Sequence, residues 1–168
     1  MVKTVTAGLA ALSIVTLAAF ASAAEPSTRP LTVQDEVVRK ECGACHMVFT
    51  PSKLTKGGWH KIMTTLPDHF GEDASLPADK VQHIDAYLAA NAMDAEAGVR
   101  TKMRLDAWKK KGLIDPIRIT ETPEWIRHHP QKSSYNEMAK AIGYDRGSNC
   151  IMCHKNAEHG VYEDNFER

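Results

Sequence analysis

Apolar residues recur at helical spacing over most of the chain, and the alternation of a half-buried strand is nearly absent. Trp59, Ile62, Met63 and Leu66 stand at i, i+3, i+4 and i+7, after Gly57-Gly58 and before Pro67. That spacing predicts an amphipathic helix stopped by the proline. Pro77 suits the first turn of a second helix running to Asn91, with Val81, Ile84 and Leu88 as its buried stripe and Tyr87 beside it. The stretch from Val33 to His46 carries Val37 and Val38 and predicts a short helix ahead of these two.

Beyond Ala92 the chain becomes more polar. A helix is expected from Val99 to Lys111, with Met103 and Trp108 in the core, lysines at the negative end of its dipole and Gly112 as its terminator. The Lys109-Lys110-Lys111 cluster could also guide an acidic partner, but a solvated helix end accounts for it. Arg118 to Pro123 reads as extended, and Glu124 to His129 as a short turn or helix before Pro130. Ser134-x-x-Glu137 is a capping box for a helix through Met138, Ala141 and Ile142, ended by Gly143, and Asn149 can cap the segment that follows. The expected fold class is mainly α.

The N-terminus reads differently. Lys3, an apolar run from Ala7 to Phe20 and the string Ala21-Ser22-Ala23-Ala24 form a secretory signal over residues 1–24. The apolar run is too short and too rich in small residues for a membrane span, and no later stretch reaches the roughly 18 apolar residues one needs. An exported, periplasmic, soluble protein of about 144 residues is expected. The whole chain has 21 basic and 21 acidic residues, so loss of Lys3 leaves a net charge of −1. Neither a nucleic-acid nor a polybasic lipid binder is indicated. The change of character between 93 and 99 divides the mature chain into halves at 25–97 and 98–168. Each is near the size at which a domain needs a staple.

The cysteines supply one. Cys42-Gly43-Ala44-Cys45-His46 and Cys150-Ile151-Met152-Cys153-His154 are two copies of C-x-x-C-H, and together they use all 4 cysteines. With this composition, a given Cys would find Cys at +3 and His at +4 by chance roughly once in a thousand tries. The pattern is the attachment signature of c-type haem: two cysteines on one helical face form thioethers to the vinyl groups, and the histidine reaches the iron. Two disulfides or a thioredoxin-like site would not require the histidines, and a zinc site built from both motifs suits an exported compartment poorly. The cofactors expected are therefore two covalent haem c groups, with His46 and His154 as proximal ligands.

The opposite face of each iron separates an electron carrier from a gas binder or an enzyme. Methionine there raises the potential, and an open position permits ligand binding. Met47 and Met152 adjoin the motifs and cannot pass round the macrocycle, and His159, five residues past His154, is similarly constrained. For the first haem, His69 lies 23 residues after His46 in the bend Pro67-Asp68-His69-Phe70-Gly71 and ranks ahead of Met63 and His60. Only 14 residues follow His154, so the second distal ligand should come from upstream, where His128, His129 and Met138 are candidates.

Several segments together resemble the small periplasmic dihaem cytochrome c family. They are Glu41 to His46, Trp59-His60-Lys61-Ile62-Met63, Leu66 to Leu76 with its Asp-His-Phe-Gly core, Tyr87 to Ala92, Arg118-Ile119-Thr120-Glu121-Thr122-Pro123, the Trp/His segment to His129, and Asn149 to His154. The resemblance implies a two-domain electron-transfer protein with two low-spin haems, each between two histidines, and the distal ligands carry over to His69 and His129. It also implies partners among periplasmic c-type haem proteins, including an oxygen-binding monohaem cytochrome. Glu124 stands where the family often has an aromatic residue, and His128 duplicates the neighbour of the second distal ligand. The alternatives are a small dihaem subunit of a periplasmic reductase and, in the enzyme class, a dihaem peroxidase or gas-binding protein. No catalytic residue is expected for an electron carrier.

Overall fold

The computed structural model of the chain describes residues 32–96, 98–129 and 150–162. The expected secretory segment, the helix expected after Ser134 with Met138, and Asn149 lie outside the described residues. Five α-helices are present among the described residues: α1 (Glu36–Cys42), α2 (Lys56–Thr64), α3 (Ala78–Asn91), α4 (Val99–Lys110) and α5 (Pro123–His128), joined by short 3₁₀ turns. The nearest approach to a strand among them is one bridge between His69 and Glu72. No described helix is long and apolar enough to cross a membrane.

α1 starts at Asp35, whose carboxylate accepts the Val38 N–H at 3.0 Å, as an N-cap should. It is shorter than the expected Val33 to His46 and ends at Cys42, because Gly43 closes it onto the Arg39 carbonyl. α2 begins earlier than expected and includes both glycines, since the Thr55 hydroxyl caps Gly58 N–H at 3.0 Å. Its chain ends at Thr64, and Leu66 and Pro67 continue in a 3₁₀ turn. Pro77 sits at the N-cap of α3 and not inside its first turn.

Val38, Trp59, Ile62, Met63, Leu66, Ile84 and Leu88 form one core with Val33, Leu54 and Ala92. α2 and α3 meet across it, and α1 packs on α3. Helical periodicity thus places the apolar faces of three helices in a single cluster. Ile117 and Ile119 pack against this same cluster. They belong to the segment after α4, which is drawn onto α2: Thr55 Oγ1 donates to Asp115 Oδ1 at 2.8 Å, and Lys61 Nζ donates to the carbonyls of Ile114 and Asp115. Gly58 permits that approach, because a Cβ there would run into the Pro116 carbonyl.

α4 ends at Lys110, with Gly112 in the left-handed conformation at φ 74° just beyond. Trp108 is buried as expected, but Met103 is 67% exposed and not a core residue. The i and i+5 spacing of these two puts them on different faces of the helix. Glu124, a departure from the family pattern without a role in the sequence, receives the Trp108 indole N–H at 2.8 Å and Arg104 Nε at 3.1 Å, joining α4 to α5. Arg118 to Pro123 is not extended throughout, since Ile119–Glu121 is a 3₁₀ turn closed by the Thr122 N–H on the Ile119 carbonyl.

Candidate haem sites

The first motif straddles a helix end. Cys42 is the last residue of α1, Gly43 to Cys45 form a turn, and His46 lies beyond it. The expected arrangement of all three ligand positions on one helix is therefore replaced by a helix terminus and a turn. The second motif keeps more of a helical turn: the His154 N–H reaches the Cys150 carbonyl at 2.7 Å and the Cys153 N–H reaches the same carbonyl at 3.2 Å. All four cysteines are free of disulfides. Burial pushes the Cys42 thiol up to about 11, helped by the charge on Glu41, and burial also raises Cys150. The uncharged form is thus favoured at these two sulfurs, as it is in a thioether.

His69 is placed by a tight reversal. The His69 N–H donates to the Glu72 carbonyl at 2.7 Å and the Glu72 N–H to the His69 carbonyl at 3.3 Å. Phe70 and Gly71 between them have φ of 58° and 98°, the positive pair of a type I′ turn. Asp68 Oδ1 braces the turn by accepting the Gly71 N–H at 3.1 Å.

This turn brings the His69 ring to 6.3 Å from the His46 ring, centre to centre, with an interplanar angle of 21°. Burial lowers the His69 pKa, and His46 and Arg118 lower it further, so the neutral ring that a metal requires is favoured. His46 Nδ1 donates to the Met47 carbonyl at 2.6 Å, which leaves Nε2 with its lone pair. The Phe49 ring lies 5.1 Å from that of His46.

His129 follows α5 directly. Its Nδ1 donates to the Trp125 carbonyl at 2.9 Å, and its ring stacks on the Trp125 indole at 4.3 Å and 10°. Its ring centre lies 6.0 Å from that of His154, at an angle of 86°. The neighbouring His128 faces elsewhere, with Nε2 at 3.0 Å from Arg127 on an exposed surface. The remaining described histidines are engaged by carboxylates: His60 by Asp85 at 2.9 Å, His83 by Asp35 at 2.8 Å and His159 by Glu158 at 3.4 Å. Met63 is buried in the core.

An imidazole nitrogen bonds a first-row transition metal at about 2.0–2.1 Å and lies roughly 1.1 Å from its ring centre, so two imidazoles trans on one ion set their centres about 6.2–6.4 Å apart. The 6.3 Å pair falls within that span and the 6.0 Å pair only slightly below it. Each pair also includes the histidine of a C-x-x-C-H motif. The residues present therefore fit haem c at both sites. Sequence reasoning did not single out the Met47 and Trp125 carbonyls, because main-chain acceptors have no residue signature, nor Phe49 and Tyr162, which only the fold brings to the rings.

A family model described as dihaem cytochrome c matches residues 38–162. No curated protein matches the chain. Among solved structures, a diheme cytochrome c from Rhodobacter sphaeroides is 38% identical, with a TM-score of 0.63, covering 77% of this chain and 98% of its own. A second structure, of DHC purified from Rhodobacter sphaeroides, is 36% identical with a TM-score of 0.60 and the same coverage. A diheme cytochrome type c from Shewanella baltica OS155 is 26% identical with a TM-score of 0.59, covering 78% and 89% of the two chains. With its mainly helical fold, its two attachment motifs and this match across nearly all the described residues, the chain belongs to the dihaem cytochrome c family and is an electron-transfer haem protein carrying two covalent haem c groups.

Proposed function

We propose that this protein shuttles electrons between redox partners in the periplasm through two haems that each have histidine on both faces. Cys42 and Cys45 would anchor the first haem, and His46 and His69 would hold its iron. Cys150 and Cys153 would anchor the second, with His154 and His129. The carrying observation is the ring separation in the two histidine pairs, 6.3 and 6.0 Å. Haem held in this way supplies one reversible one-electron couple per site.

The chain's own residues suit that task. The Met47 and Trp125 carbonyls hold one imidazole of each pair in the tautomer that presents Nε2. Trp125 fixes the plane of His129 by stacking, and Phe49 shields His46. With histidine from both sides at each site, the iron would offer no ready position for a substrate and would rearrange little between ferric and ferrous states, which favours a carrier over a peroxidase or gas binder. Two imidazoles would also set the potentials lower than methionine would. The family resemblance extends the proposal to partners that are themselves exported c-type haem proteins, an oxygen-binding monohaem cytochrome among them.

Visible and electron paramagnetic resonance spectra of the holoprotein and of the His69→Ala and His129→Ala variants test the ligand set. Both haems should be low-spin in the parent, and each variant should convert one haem to a form that binds carbon monoxide when reduced. A variant that keeps the parental low-spin spectrum would refute its ligand, and rapid carbon monoxide binding by the parent would refute the shuttle. The partner proposal predicts fast electron exchange with an exported monohaem cytochrome; permanent co-purification with a large reductase subunit would count against it.

A further inference from the structure

Each histidine pair has a cation beside it that comes from the other half of the chain. At the first site, Arg118 lies over the Phe70 ring, 4.1 Å from its centre, next to His69. At the second, Lys53 Nζ lies 3.8 Å from the centre of the Tyr162 ring, which in turn meets the His154 ring at 5.8 Å. The two cations are not equivalent. Arg118 acts on His69, but it is half exposed and has the Glu121 carboxylate 3.7 Å from its Nε, so water and a counter-charge partly offset its field. Lys53 has no carboxylate within ion-pair distance among the described residues, and the ring it covers, Tyr162, lies against His154 of the second site. Burial pulls its pKa down from the ordinary lysine value, and Arg104 lowers it further, a sign of how little water screens the ammonium.

The scaffold holds Lys53 there. Pro51–Lys53 form a 3₁₀ turn whose Pro51 carbonyl receives the buried Trp59 indole N–H at 2.6 Å. Thr50, just before the turn, is buried and shares a hydrogen bond with the Tyr162 hydroxyl. Tyr162 is therefore clasped by Thr50 at its hydroxyl and by Lys53 on its face, and the lysine cannot leave without breaking that contact.

We propose that Lys53 acts as a fixed positive charge that raises the reduction potential of the second haem relative to the first, so that an electron entering at the first haem passes to the second. The proposal rests on the assignment of Cys150, Cys153, His154 and His129 to the second haem. In the transfer, the iron between His46 and His69 goes from ferrous to ferric and the iron between His154 and His129 from ferric to ferrous. One electron moves and no bond is made or broken. A nearby cation favours the ferrous product because reduction removes one positive charge from the iron.

The test is a redox titration of the full-length holoprotein and its Lys53→Met, Lys53→Gln and Lys53→Arg variants, followed by electron paramagnetic resonance. The near-parallel rings of one pair and the near-perpendicular rings of the other split the iron orbitals differently, so the two ferric signals can be followed separately. Either neutral variant should shift the electron equilibrium between the haems about tenfold toward the first, which is about 59 mV for one electron, with the first haem unmoved and Lys53→Arg close to the parent. Unchanged potentials in a neutral variant, equal shifts at both haems, or an arginine variant that behaves like methionine would overturn the proposal. Loss of ligation would alter the low-spin spectra, whereas loss of this charge moves only the potential, so the two readings fail in distinguishable ways. Should the methionine variant not mature, the glutamine variant removes the same charge and reads the same shift.

Discussion

Gly71 offers a test of how the backbone holds His69, the proposed distal ligand of the first haem. Its φ is 98°, and a Cβ added there would meet nothing within 4 Å. The Gly71→Ala substitution therefore carries no steric term, and its effect is purely conformational: an L-residue in the left-handed region costs roughly 1–2 kcal/mol. Phe70 beside it already has φ of 58°, so the turn cannot shed the strain onto its neighbour. The cost falls on the closing bonds between His69 and Glu72, at 2.7 and 3.3 Å, and so on the position of His69. An increase of about 1–2 kcal/mol multiplies the population of the opened turn by about 5–30. The assay is carbon monoxide binding to the fully reduced holoprotein, in which, under the proposed ligation, entry at the first haem would require His69 to withdraw. Binding at that haem should accelerate by the same factor, with the second haem unaffected. Gly112→Ala is the control: Gly112 also has positive φ and open space around a Cβ, but it terminates α4 and lies in neither histidine pair, so it should lower stability without changing carbon monoxide kinetics. Identical kinetics for Gly71→Ala and the parent, or equal acceleration in the Gly112 control, would refute the reasoning.

Three further outcomes follow from the structure. Ile84 is fully buried between the helices of the first half, and Ile84→Ala should destabilise the holoprotein by about 2–5 kcal/mol in denaturant titration. The Val38 N–H above all, and then His83, hold the Asp35 carboxyl below its ordinary value despite an opposing effect of burial; its stabilisation should be complete above the unfolded pKa of about 3.9 and fade as pH falls through the lower folded value. The Asp35→Asn variant, which keeps a capping side chain, should flatten that acid limb of thermal stability, and an unchanged limb would show that other groups control it. Replacing Cys150 and Cys153 by serine should leave one covalent haem by mass spectrometry and a largely unfolded second half by hydrogen exchange; a compact, native-like second half without its haem would contradict the view that a half of this size needs the haem as its staple.

How much is legible in the sequence differs by residue. The stripe of Trp59, Ile62 and Met63 and that of Ile84 and Leu88 are readable because a helix imposes its period on local sequence, and these residues do form the core. The C-x-x-C-H motifs are readable for a related reason, since two thioethers and one ligand need fixed short spacings. Met103 is misplaced by periodicity because a helix with few apolar residues does not define a buried face, and burial there is decided by what packs against it. The α1 terminus at Cys42 comes from a glycine whose N–H caps the helix, a choice between continuing and stopping that lies within the energy of one hydrogen bond.

The adjacent pair His128 and His129 shows where sequence reasoning ends. Composition and spacing do not distinguish the two neighbours, family resemblance favours His129, and the end of α5 shows how the two differ: His129 bonds the Trp125 carbonyl and stacks on the indole, 6.0 Å from His154, while His128 turns outward. The same holds for Lys53 and Arg118, ordinary charged residues in the sequence that the fold carries across from one half to the rings of the other. Sequence alone determined the cofactor type, its number and the helical class, because covalent attachment and helical period are written within a few residues of each other. Tertiary structure decided which side chains surround each histidine, because those contacts join residues tens of positions apart, and their geometry depends on every turn between them.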